Sequence, residues 1–119
     1  MRSLHRFASL PCLLLAGCHA SYTVELHNLT DKPVEARLLQ DLLNQDPLQL
    51  QRASIPPGAS STLGPVHAQY TDDVNLEISQ TLELGLPPNR TRLYPGSSTY
   101  ELVASERAWS GVEIRKRPR

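Results

Sequence analysis

The chain is poor in the residues that most openly announce a chemistry. Its 119 residues include two cysteines, one methionine, one phenylalanine and one tryptophan, and aromatic residues make up only 5%. Twelve basic residues balance twelve acidic ones. Nucleic-acid binding usually shows as a strongly basic surface, and nothing here supports it. No apolar run approaches the roughly 20 residues that a spanning helix needs. There is no G-x-S-x-G, no H-E-x-x-H and no glycine-rich phosphate loop, so no familiar catalytic frame presents itself. His27 and His67 stand alone in sequence, as strand or loop histidines usually do. Asp72, Asp73, Asn75 and Glu77 are oxygen donors, but the stretch lacks the glycine of an EF-hand loop. It reads as the wet face of a strand. No metal and no cofactor is expected.

What is present begins at the N-terminus. Arg2 and Arg6 precede an apolar stretch, Phe7 to Ala16, which is interrupted by Pro11 and followed by small residues. That is the layout of a targeting segment. It closes on Leu15-Ala16-Gly17-Cys18, which resembles the lipobox of bacterial lipoproteins. The resemblance implies a signal peptide over 1–17, a diacylglyceryl thioether (with palmitate-type acylation) on Cys18, and cleavage before that residue. His19, rather than Asp, follows the cysteine, which in the Gram-negative sorting scheme implies an outer-membrane lipoprotein facing the periplasm. Two or three acyl chains anchor firmly where a single chain binds only marginally. An ordinary signal peptide cut after Ala20 is the competing reading. It would give a soluble periplasmic or secreted protein.

If the chain starts at Cys18, 102 residues remain, enough for one domain. Losing Arg2 and Arg6 leaves 10 basic against 12 acidic residues, a net charge of −2. Met1, Phe7 and Cys12 go too, so the core must be built from Leu, Val, Ile and Ala with a few Tyr. With Cys18 acylated, no thiol is left for a disulfide or a nucleophile. A blue-copper site is excluded as well, since neither Met nor free Cys survives.

From Tyr22 the pattern has a period of two, which is that of half-buried strands. Tyr22, Val24 and Leu26 share one face, and Val34, Ala36 and Leu38 resume the pattern after Asn28–Pro33, a turn-rich stretch expected to be a hairpin connection. Residues 38–46 are open between strand, loop and helical turn, because Leu38, Leu39, Leu42 and Leu43 also fit a helix face. Leu48–Ile55 reads as a strand with a bulge near Arg52 and Ala53, where the alternation changes phase. Pro56-Pro57-Gly58 and Tyr94-Pro95-Gly96 each place a Pro-Gly turn before a Ser/Thr-rich strand start, as paired corners of a sandwich would. Val74, Leu76, Ile78, Leu82, Leu84 and Leu86 predict one long strand, or two meeting near Gln80. Further strands are expected at 92–94, 99–103 and 112–116. Seven or eight short strands with regular turns predict an all-β, antiparallel β-sandwich of immunoglobulin-like type over residues 22–116. Residues 18–21 would be the lipidated cysteine and a short tether, and 117–119 a basic tail.

Few residues remain as candidates for function. Cys18 carries the lipid. Arg115, Lys116, Arg117 and Arg119 could meet anionic headgroups, provided that the tail leaves on the membrane side, which an even number of up-and-down strands would achieve. Trp109 is a core or edge cap by default, and a sugar or partner contact if exposed. Asn28-Leu29-Thr30 and Asn89-Arg90-Thr91 match a glycosylation pattern but read as turn residues. The expected activity is that of a non-catalytic binding or structural module held at the membrane, with an envelope protein as candidate partner. The alternative is an enzyme with a cryptic site around His67, using Ser60 or Ser97.

Overall fold

The computed structural model describes residues 19–80, 87–108 and 111–117. The lipobox with Cys18, the stretch 81–86, Trp109 and Arg119 lie outside them. Eight strands follow one another: β1 (His19–Asn28), β2 (Val34–Gln40), β3 (Leu48–Ile55), β4 (Ser60–Gln69), β5 (Val74–Gln80), β6 (Asn89–Leu93), β7 (Gly96–Ala104) and β8 (Val112–Lys116). They form two four-stranded sheets, ordered β4-β1-β7-β8 and β3-β2-β5-β6. No helix occurs among the described residues. This is the all-β sandwich that the alternation predicts.

The inward residues of the two sheets make one core. From the first sheet come Val24, Leu26, Leu63 and Leu102, and from the second Val34, Leu38, Leu76 and Ile78, all fully buried. Each such side chain contributes roughly 1.5–3 kcal/mol relative to exposure. Without Phe or Met, packing rests on branched aliphatic residues, joined by the buried Tyr22 and Tyr100. β1 is the hub of its sheet. It pairs antiparallel with β4 and parallel with β7, the one parallel pairing found here.

The strand order differs from the immunoglobulin arrangement, in which the first two strands share a sheet. Here β1 and β2 lie in different sheets, so Asn28–Pro33 is a crossover between sheets and not a hairpin connection. The buried Asn28 side chain makes this crossover. Its Nδ2 donates to the carbonyls of Lys32, Ile55 and Pro56 at 2.9, 2.9 and 3.2 Å. Its Oδ1 accepts from the Thr30 amide at 3.0 Å and the Thr30 hydroxyl at 2.6 Å. One amide thus ties the β1–β2 crossover to the β3–β4 corner.

Both Pro-Gly turns are sheet-changing corners, with Gly58 at φ 74° and Gly96 at φ 105°. The bulge in β3 falls at Leu50, between Gln51 opposite Leu38 and Gln49 opposite Leu39, and not at Arg52 or Ala53. A second bulge was not legible. At Gly64-Pro65 two residues of β4 face Thr23 alone, and β4 runs on to Gln69. The Gly64 amide donates to Gln51 Oε1 at 2.8 Å, across to the other sheet. The 38–46 ambiguity resolves into strand as far as Gln40 and then a turn. The Gln45 amide reaches the Leu42 carbonyl at 3.4 Å, and Asn44 is left-handed at φ 57°. Of the long strand expected over 74–86, Val74–Gln80 is strand, and the remainder lies outside the described residues.

Candidate functional site

Strand directions alternate along the chain, so β1, β3, β5 and β7 start and β2, β4 and β6 finish at one end of the sandwich. β1 begins there, at His19, the residue after Cys18. It starts three residues earlier than the alternation from Tyr22 suggested. Ala20 is buried against the core and pairs with Ala68, while His19 pairs with Gln69. Alanine is too small to mark a strand by hydrophobicity, which is why this extension was missed.

Three connections share that end: 41–47, 70–73 and 94–95. Polar contacts fasten them. The Asp41 amide donates to the Asp73 carbonyl at 2.9 Å, which joins the first two loops. Asn75 Nδ2 donates to Asp41 Oδ2 at 2.8 Å, and Gln40 Nε2 to Asp72 Oδ2 at 2.6 Å. Arg92 pairs with Asp73 at 2.9 Å and lies 5.6 Å from the ring centre of Tyr94. A cleft of about 240 Å³ opens among Tyr22, Tyr70, Asp73, Arg92 and Tyr94. Burial pushes the Tyr22 hydroxyl above its usual pKa, reinforced by Tyr70 and Asp73.

Apolar exposure is concentrated at the same end. Leu43 is 87% exposed, Tyr70 69%, Tyr94 62% and Leu48 50%. The remaining large exposed apolar residue among those described, Leu29, lies at the opposite end, in the β1–β2 crossover. Sequence reasoning missed this grouping. By sequence Leu43 fits a helix face as well as a loop, and the tyrosines are far apart in the chain.

The basic residues occupy β8 and its continuation. β8 runs back toward the end where β1 starts but stops short of it, since Lys116 lies opposite Tyr100, level with Leu26 of β1. The Arg117 amide donates to the Thr99 carbonyl at 2.8 Å, and Thr99 lies opposite Glu25. Arg117 pairs with Glu101 at 3.1 Å and Arg115 with Glu113 at 3.4 Å. With Lys116 and Tyr94, Arg117 also lines an open groove over Ser97 to Thr99.

His67 is exposed on β4 opposite Ser21. A different histidine meets a serine. His27 Nδ1 lies 2.7 Å from Ser60 Oγ, its cross-strand neighbour, and His27 Nε2 lies 2.7 Å from Glu25 Oε1 without hydrogen-bond alignment. A hydroxyl, an imidazole and a carboxylate in that order could in principle activate a nucleophile. Glu25 and Ser60 are exposed on the outer face of the sheet, and neither Ser60 nor His27 lines any of the clefts described here. No group of three or more His, Cys, Asp or Glu placed to hold a metal ion occurs among the described residues.

Neither a protein-family model nor a curated protein matches the chain. Among solved structures, it is similar to the T6SS lipoprotein TssJ1 from Pseudomonas aeruginosa, with a TM-score of 0.47 and 11% sequence identity. That similarity covers 84% of this chain and 98% of the other.

Proposed function

We propose that this protein is a lipid-anchored envelope module, non-catalytic, which acts as a binding or structural element close to the membrane surface. The observation that carries the reading is the start of β1. The central strand of one sheet begins at the residue after Cys18, so a lipid on that cysteine would be coupled to the domain with almost no tether. One extended residue spans at most about 3.6 Å. Anchoring of this kind holds a domain at the bilayer and raises its local concentration toward partners in the same membrane.

The same strand speaks against cleavage after Ala20. A mature start at Ser21 would remove His19 and Ala20 from β1 and expose the place where Ala20 is packed. Cleavage before Cys18 leaves the whole strand intact. The basic tail adds little to the anchoring. Arg117 lies level with Glu25, six residues up β1 from His19, or roughly 20 Å at strand spacing. Glu101 and Glu113 offset two of its charges.

The test is the mass of the N-terminal peptide from the membrane fraction. A diacylglyceryl-modified Cys18 is expected, and a Cys18→Ser chain should leave the membrane fraction. An unmodified start at Ser21 would overturn the anchor and favour the soluble reading. Pull-down of the lipidated protein from membranes tests the assembly role, and recovery of no specific partner above background would count against it.

A further inference from the structure

We propose that the end of the sandwich where β1 starts is a membrane-contact face, whose exposed Leu43, Tyr70 and Tyr94 enter the headgroup layer of a zwitterionic phospholipid bilayer. This rests on the lipid anchor at Cys18. It goes further by specifying which surface touches the lipid and by what chemistry.

Position comes first. With the anchored residue directly before β1, the loops at the start of that strand are the part of the domain nearest the bilayer. Four of the five large exposed apolar side chains among the described residues stand at that end. Tyrosine suits the boundary because its ring is apolar and its hydroxyl polar, and Leu43 supplies an aliphatic side chain with no polar atom.

Rigidity and charge decide the kind of lipid. The loops are held by the Asp41–Asp73 backbone bond and by the inward ties of Asp41, Asp72 and Asp73, so the apolar side chains project from a fixed frame. Residues 41–47, 70–73 and 94–95 contain four aspartates and no Lys or Arg. Arg92, the cation beside Tyr94, is paired with Asp73, so such a face gains little from anionic headgroups. Contact through apolar side chains is therefore expected to be insensitive to salt and strongest on phosphatidylcholine.

The lipidated protein, reconstituted in phosphatidylcholine vesicles, tests this directly. A thiol introduced by Leu43→Cys can carry an environment-sensitive fluorophore, because Cys18 is blocked by its thioether. Leu29→Cys provides the control at the far end, and both positions are exposed enough for the fold to tolerate a label. The Leu43 label should shift to the blue and be quenched about twofold by lipids spin-labelled near the headgroup, while the Leu29 label stays aqueous. An aqueous Leu43 label on protein that floats with the vesicles overturns the contact face and leaves the anchor standing. Failure to float, with an unmodified N-terminus, overturns the anchor and the contact face together. Quenching that grows on adding phosphatidylglycerol and falls with salt would assign the contact to the basic tail, and overturns the apolar face.

Discussion

Replacing Asn28 by alanine removes the one side chain that fastens a sheet crossover to a corner. Its amide makes five polar contacts, three as donor through Nδ2 and two as acceptor through Oδ1. Three partners keep another bond: the Thr30 hydroxyl and the Lys32 carbonyl still meet each other, and the Pro56 carbonyl still accepts from the Ala59 amide. The Thr30 amide and the Ile55 carbonyl lose theirs, at a site where Asn28 is fully buried. A buried polar group left unpaired costs about 1–3 kcal/mol, so the two together cost about 3 kcal/mol. For a domain of this size that lowers Tm by about 12–20 °C. Urea unfolding followed by circular dichroism reads the loss directly. Asn28→Asp sharpens the test, because a carboxylate would face three carbonyl oxygens with no proton to donate. Its pKa should rise in the folded state, so the destabilisation grows as pH climbs through the ordinary carboxylate range and shrinks below about pH 4. A loss under about 1 kcal/mol for Asn28→Ala, or an Asn28→Asp defect that does not change with pH, would refute the assignment.

Three further outcomes are expected. Burial pushes the Glu77 pKa up, but hydrogen bonds from Arg37 and Arg90, aided by their charges, outweigh it and hold the carboxyl below its ordinary value of 4.5. Its stabilisation is therefore present above about pH 4.5 and lost as pH falls, so Glu77→Gln should cost about 1–2 kcal/mol at pH 7 and flatten the acid limb of a stability–pH curve. Gly64 sits at φ 100°, and a methyl group there would fall on the Tyr22 carbonyl oxygen; Gly64→Ala should lose about 2–3 kcal/mol in chemical denaturation. Fluorophosphonate should leave Ser60 unlabelled, and Ser60→Ala should leave vesicle flotation and stability within about 0.5 kcal/mol of the parent; stoichiometric labelling of Ser60 would instead support a catalytic role for Ser60, His27 and Glu25.

The strands and their facing were legible because a period of two needs only local sequence. Val34, Ala36 and Leu38, or Val74, Leu76 and Ile78, declare their buried side without reference to any neighbour. The Pro-Gly corners were legible for the same reason, since left-handed backbone at Gly58 and Gly96 is a property of the residue. Strand order was not. Alternation says which face is wet and not which strand lies alongside, so the parallel β1–β7 pairing and the separation of β1 from β2 depend on contacts some 70 and 40 residues apart. Asn28 illustrates the gap, being a turn former by composition and a buried staple only once Ile55 and Pro56 are brought to it. The candidate contact face belongs wholly to the tertiary structure. Leu43, Tyr70 and Tyr94 lie on three separate connections, and they gather beside the start of β1 only because successive strands alternate in direction.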